Sequence, residues 1–280
     1  MLTLLHGSDI HFGKPHDAGA MEAFVRTIQS TAPDLLVVSG DLTQRAKVSE
    51  YQGVRAFLDQ VAPLPTVVTP GNHDVPLYRA FERLFDPYRN YRRYISPDLD
   101  TVTRIPGATV VALNSAAPRR RIVNGRVRRS QLEFARAAFE EAEAADVKIV
   151  VIHHHIAPPP DYGVDYPLPD GRQIVAALTD MGVDLILSGH LHRSYSADVR
   201  DVASQIGRGD ENRALVLHSG TTTSTRGRAR EQGRNSCNLI RVHADRVDVT
   251  VLMLDREHGF VPYARHQFPR RTAGTLPGGG

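Results

Sequence analysis

Asp9, His11, Asp41, Asn72, His153, His190 and His192 fall in five short motifs, and each motif follows an apolar run of the chain. Carboxylate, amide and imidazole donors of this kind suit divalent cations of intermediate hardness, and no thiolate accompanies them. Asp9 and His11 flank Ile10. On an extended segment, side chains two apart point the same way, so a carboxylate oxygen and an imidazole nitrogen can grip one ion. An isolated pair of this spacing is more often a solvated Asp beside a surface His, and it is the position just past an apolar run that marks this one. Asp41, in Ser39-Gly40-Asp41-Leu42, offers two oxygens that can bridge two cations, although a turn or a helix cap explains a lone Asp equally well.

The remaining motifs are more specific. Asn72 follows Pro70-Gly71 and brings an amide oxygen. The adjacent His73 is then free to contact an anion or protonate a departing oxygen, with Asp74 a candidate to hold it in place. In His153-His154-His155 neighbouring imidazoles should face opposite sides, so one of His153 and His154 is expected to be a ligand. Gly189-His190-Leu191-His192 repeats the alternating spacing and should set two imidazoles on one side. His6, His16, His218, His243, His258 and His266 read as core or surface residues, with His16 and His218 nearest the strand ends that should face the site.

Positioning these groups requires strands of shared sheets that deliver their ends to one place. Strands are expected at Leu2 to His6, Asp34 to Val38, Pro65 to Val68, Thr109 to Leu113, Val147 to Ile152 and Val183 to Leu187. Helical spacing marks Gly19 to Thr31, Lys47 to Val61, Ser130 to Ala145 and Gly171 to Met181, the third started by a Ser130/Glu133 capping box. From Arg213 onward strands follow without helices, at Leu215 to His218, Cys237 to Val242, Val247 to Leu254 and Val261 to Ala264, which points to a second sheet. Two mixed sheets packed face to face with helices outside satisfy both halves of this pattern. A single domain over residues 1–270 is expected, with a frayed Pro- and Gly-bearing tail at 271–280.

Composition is permissive. At 280 residues and 41% hydrophobic the chain can bury a large core, and 34 Lys+Arg against 31 Asp+Glu force no nucleic-acid partner. Cys237 is the only cysteine, so no intramolecular disulfide can form and a reducing, cytoplasmic location is expected. Met1 runs into an apolar strand with no basic n-region, unlike a signal peptide, and no apolar stretch approaches the roughly 20 residues that span a bilayer.

In order and spacing, Asp9-x-His11, Gly40-Asp41, Gly71-Asn72-His73-Asp74, His153 and Gly189-His190-x-His192 resemble the calcineurin-like metallophosphoesterase superfamily. The resemblance covers strand one to His192 and implies a four-layer αββα sandwich, the metallo-dependent phosphatase fold. It implies two divalent metal ions (Mn, Fe, Zn or Co), one held by Asp9, His11 and His192 and the other by Asn72, His153 and His190, with Asp41 bridging. His73 would sit beside the phosphate. Family members usually carry Pro two residues after the first histidine of the third motif, where this chain has His155, so His154 stays an alternative ligand. Within the superfamily the chain looks most like bacterial class III cyclic-nucleotide phosphodiesterases, on Gly40-Asp41-Leu42-Thr43, the His-rich string and Gly220-Thr221 to Arg226. The implied reaction is hydrolysis of a small nucleotide diester by hydroxide shared between the two cations.

Arg119-Arg120-Arg121, Arg128-Arg129 and Arg226 to Arg234 are read as solvated loops of an Arg-rich chain, Arg226 being the exception assigned to substrate. Tyr162 and Tyr166 could stack on a base, though packing is the ordinary reading. A phosphomonoesterase is the alternative closest in chemistry. A nuclease of the same superfamily usually adds a DNA-capping domain, for which the chain stops too soon. A non-catalytic scaffold of the fold tends to lose ligands, whereas every ligand type is present here.

Overall fold

A computed structural model describes residues 1–119, 125–156, 168–192, 195–198, 214–226 and 233–270. The chain runs β1 (Leu2–Gly7), α1 (Ala18–Thr31), β2 (Leu35–Val38), α2 (Val48–Val61), β3 (Thr66–Val68), α3 (Ala80–Phe85), α4 (Arg89–Tyr94), β4 (Thr101–Ile105), β5 (Ala108–Leu113), α5 (Arg129–Glu140), β6 (Val147–Ile152), α6 (Gly171–Asp180), β7 (Leu185–Ser188), β8 (Tyr195–Asp198), β9 (Leu215–His218), β10 (Ser236–Val242), β11 (Arg246–Asp255) and β12 (Gly259–Pro269). A single 3-10 turn over Asn72–Asp74 follows β3. The Arg120-Arg121 pair, Tyr162, Tyr166, most of the Arg226 to Arg234 loop and the 271–280 tail lie outside the described residues.

Two six-stranded sheets result, ordered β12-β11-β10-β1-β2-β3 and β4-β5-β6-β7-β9-β8. The strands that precede the motifs are parallel neighbours within each sheet: β1, β2 and β3 in the first, β6 and β7 in the second. Their continuous apolar runs follow from burial on both faces. Leu35 and Val37 point into the layer between the sheets with Ile149, Val151, Leu185 and Leu187, while Leu36 and Val38 point outward under α1 and α2. Val150 and Ile152 do the same under α5 and α6. Each such side chain contributes about 1.5–3 kcal/mol by leaving water. The layers are therefore helix, sheet, sheet, helix, as the spacing anticipates.

Two local expectations are corrected and one strand is added. The C-terminal strands do not make a sheet of their own: β9 joins the second sheet beside β7, and β10 pairs antiparallel with β1 to extend the first. Helix α5 begins at Arg129 and ends at Glu140, short of Ala145, and Ser130 does not cap it. The Gln131 side chain accepts from the Arg128 backbone N–H instead, because its amide is already drawn inward to Asp100 and Asn114. The added strand is β4 at the sheet edge, which pairs with β5 although its mostly half-buried residues carry no apolar run.

Asp74 also departs from expectation. Its carboxylate does not reach the His73 ring; it accepts from the backbone N–H groups of Leu42 (3.0 Å), Thr43 (2.8 Å) and Gly71 (2.8 Å) and from Thr43 Oγ1 (2.9 Å). These donors lie on the turns that follow β2 and β3, so one buried carboxyl group staples the two turns together; burial and the nearby Asp41 raise its pKa to about 7, and the backbone donors of Gly71, Leu42 and Thr43 work against that rise. Replacing Asp74 by Asn would aim an amide N–H₂ at donors. Asp74→Asn is expected to lower stability by about 2–3 kcal/mol, read as a melting temperature roughly 5–10 °C lower. An unchanged thermal transition would show that the staple carries no such weight.

Candidate metal centre

The C-terminal ends of parallel strands from both sheets open onto one site, where ligands collect in folds of this class. Asp9 and His11 follow β1, Asp41 follows β2, Asn72 follows β3, His153 follows β6, and His190 and His192 follow β7. Asp9, His11, Asp41, His190 and His192 all adopt left-handed backbone, with φ of 53°, 46°, 51°, 79° and 56°. That conformation costs a non-glycine residue on the order of 1–2 kcal/mol each, a strain that collects at functional sites. The extended geometry assumed for Asp9-x-His11 and His190-x-His192 is thus replaced by tight turns, which aim each side chain separately. Room for the turns comes from glycine. A Cβ on Gly71 would collide with the Asp41 backbone and carboxylate, and one on Gly40, at φ +88°, would lie 2.6 Å from His153 Nδ1.

The donor atoms form two groups. In the first, Asp9 Oδ1 lies 3.2 Å from His192 Nε2 and 3.7 Å from His11 Nε2, with the two imidazole nitrogens 3.3 Å apart. In the second, Asn72 Oδ1 lies 2.9 Å from His190 Nδ1 and 3.1 Å from His153 Nε2, with those nitrogens also 3.3 Å apart. Asp41 stands between them, Oδ2 3.7 Å from His11 Nε2 and Oδ1 3.4 Å from His153 Nε2. His190 and His192, expected to share one side, go to different groups.

Hydrogen bonds from behind orient the rings. His153 Nδ1 donates to the Ser39 carbonyl at 2.8 Å and His192 Nδ1 to the Arg226 carbonyl at 3.1 Å, which leaves both Nε2 lone pairs facing inward. Asp9 Oδ2 accepts from Ser8 Oγ at 2.6 Å and the His190 N–H at 3.0 Å. Its Oδ1 is buried with no hydrogen-bond partner among the described residues. An orphaned carboxylate oxygen among converging imidazole nitrogens is what a cation would satisfy. The donor atoms of Asp9, His11, Asp41 and His192 lie within 4.8 Å of one another, so this donor set fits divalent metal.

The electrostatics agree. Burial pushes His11 and His190 down to about 3, overriding the carboxylates that favour their charge, so both present the neutral ring a metal needs. Burial would raise Asp9 and Asp41, yet the surrounding imidazoles, led by His192 for Asp9 and His153 for Asp41, hold both below the usual carboxylate range. His153 moves the other way. Its burial disfavours charge, but the Asp41 carboxylate beside it raises it to about 9.

His153, not His154, reaches the donor group; the neighbouring ring turns away to bond Ser115 Oγ through Nδ1 at 2.8 Å and packs 4.7 Å from His190. His16 bonds the Ile10 carbonyl at 3.0 Å and His218 the Ser188 hydroxyl at 2.5 Å, both as framework. His73 borders the site: its N–H donates to Asp41 Oδ1 at 2.8 Å and its ring meets His11 edge-on at 4.9 Å. Arg226 Nη1 approaches His73 Nε2 to 3.2 Å, bringing that arginine to the site. Ser8 and Gln44, which sequence reasoning passed over, also line it. Ser8 precedes Asp9 directly, but polar residues beside ligands carry no signal of their own until the turn is known.

The family model for calcineurin-like phosphoesterase matches residues 2–194. The chain is 29% identical over 266 residues to a protein of Mycobacterium tuberculosis named cAMP/cGMP dual specificity phosphodiesterase, covering 90% of this chain and 79% of that one. It is 29% identical over 174 residues to a Synechococcus protein named probable cyclic nucleotide phosphodiesterase, covering 60% of this chain and 61% of the relative's length. Among solved structures, purple acid phosphatase from yellow lupin seeds superposes with a TM-score of 0.71 at 11% identity, over 100% of this chain and 57% of that one, a likeness of fold alone. A family match that runs from β1 through every motif of the two donor groups places this chain in the calcineurin-like phosphoesterase family, a family of metal-dependent phosphoric ester hydrolases.

Proposed function

We propose that this chain hydrolyses phosphodiester bonds of small nucleotides, 3',5'-cyclic nucleotides foremost, at a centre of two divalent cations. One observation carries the two-ion reading: the oxygens of Asp41 face different donor groups, 3.7 Å from His11 Nε2 and 3.4 Å from His153 Nε2. A carboxylate serving one ion has no reason to be divided in this way. Asp9, His11 and His192 would hold one ion, Asn72, His153 and His190 the other. When bound, such a pair activates water near neutral pH and neutralises phosphoryl oxygens. The nucleotide class is supported by the names of relatives in Mycobacterium tuberculosis and Synechococcus.

The chain's own residues complete the reaction. The Asp9, Asp41 and Asn72 oxygens and four inward imidazole nitrogens set the positions of charge before substrate arrives, so no reorganisation is needed during turnover. His73 Nδ1 donates to the Gln44 carbonyl at 2.9 Å, which commits Nε2 to the open side of the site. There Nε2 accepts from Arg226 Nη1. A phosphoryl oxygen that draws the guanidinium onto itself would leave Nε2 beside the departing oxygen, where the ring, once it has taken up a proton on Nε2 as the imidazolium, donates a hydrogen bond or that proton. The expected location is cytoplasmic. Among the described residues no helix is long and apolar enough to cross a membrane.

Purified with Mn, the protein is expected to carry about two metal ions per chain and to hydrolyse bis-p-nitrophenyl phosphate and at least one cyclic nucleotide. A chelator should abolish this, and added Mn restore it. Asp41→Ala should lose metal, read by elemental analysis, and all turnover. His73→Ala should keep its metal while kcat falls about 100- to 10,000-fold. Turnover that survives full chelation, or equal rates in all three proteins, would refute the assignment; a panel hydrolysing only monoesters would redirect the substrate class.

A further inference from the structure

Gln44 lies three residues beyond Asp41 on the turn after β2, half-buried, with its backbone N–H bound to the Phe12 carbonyl at 2.9 Å. Two functional side chains lean on it. Its backbone carbonyl takes the His73 Nδ1 hydrogen. Its side-chain Oε1 lies 3.3 Å from Arg226 Nη1, and because a guanidinium offers donors only, the amide must turn its oxygen to the arginine. The same Nη1 is 3.2 Å from His73 Nε2, so Gln44, His73 and Arg226 close a ring of contacts. That ring is fastened to Asp41, which stands between the donor groups, through the His73 N–H, and to the first group through the Arg226 carbonyl on His192 Nδ1.

Arg226 approaches from the segment after β9, far in sequence from the turn that carries Gln44 and from another sheet. An arginine side chain gives up about 2 kcal/mol of rotamer freedom when fixed, so an unguided guanidinium would not dwell over His73. Its Nε and Nη2 make no hydrogen bond to a described residue, while Nη1 is held by Gln44 and His73. The three N–H groups on those two nitrogens can meet phosphoryl oxygens. From this arrangement we infer that Gln44 is a positioning residue, whose side-chain oxygen pins Arg226 against His73 so that the two act as one seat for the substrate's phosphoryl group. The inference deepens the proposed function and rests on it for the identity of the anion; the ring of contacts stands on geometry alone.

A double-mutant cycle tests it, with inorganic phosphate as the probe and the Mn-loaded full chain as the protein. Calorimetric binding of phosphate is expected to weaken about tenfold in Gln44→Ala, the loss of one hydrogen bond to a charged group. In an Arg226→Ala background the same change should have no further effect, because the group it positions is gone. Gln44→Met, which keeps the volume without the acceptor, should match Gln44→Ala, and it serves in its place where the alanine variant folds poorly. Metal content should be unchanged throughout, and with bis-p-nitrophenyl phosphate the cost should fall on KM more than on kcat. Recovery by methionine, additive losses in the two backgrounds, unaltered phosphate binding in Gln44→Ala, or no phosphate binding by the unmodified protein would each overturn the inference. A protein that binds phosphate with this coupling but hydrolyses no ester would retain it and sink the proposed function instead.

Discussion

Two buried carboxylates, Asp9 and Asp41, have no Lys or Arg against them among the described residues; imidazoles surround them instead. Burying an anion is costly unless its charge is compensated, and only partial compensation is available where burial drives His11 and His190 toward neutrality and the carboxylates favour charge on His153. The site therefore holds an excess of lone pairs, with Asp9 Oδ1 left without a hydrogen-bond partner among the described residues. A pair of cations would resolve the imbalance. Everything else in the structure serves to keep these donors in place while they repel one another.

The restraint comes in three layers. The apolar sheet interface sets strand ends from two sheets against each other and cannot slide without exposing Leu35, Val37, Ile149 and Leu187. Next, left-handed turns at Asp9, His11, Asp41, His190 and His192 point side chains inward at a cost that the surrounding hydrogen bonds hold in check. Last, carbonyls of Ser39 and Arg226 fix ring orientation at His153 and His192, and Asp74 staples the turns that bear Asp41 and Asn72. Asp74 lies one residue from His73 yet works for the scaffold, whereas the ring of His73 is held by Gln44, distant in sequence.

The motif residues were legible because metal chemistry restricts the choice of side chain so severely. Asp, His and Asn at the ends of apolar runs can be read without knowing the path between them, and the parallel strands β1, β2, β3, β6 and β7 show as runs buried on both faces. Legibility fails where a partner is remote. The strand β4 has no apolar alternation, and its place depends on the exposed edge of β5. The pairing of β10 with β1 joins residues about 235 apart, and nothing local in either strand names the other. Gln44 is an ordinary turn residue until Arg226 arrives beside it.

By itself, then, the sequence marked side chains whose chemistry suits metal and the strands that carry them, since both depend on residue type and on periodicity along the chain. The tertiary structure alone decided that His153 and not His154 faces inward, that His190 and His192 separate, and that Asp41 divides its oxygens between two donor groups. Those outcomes turn on backbone dihedrals in tight turns and on carbonyls from other strands. Such directions in space have no counterpart in the spacing of letters.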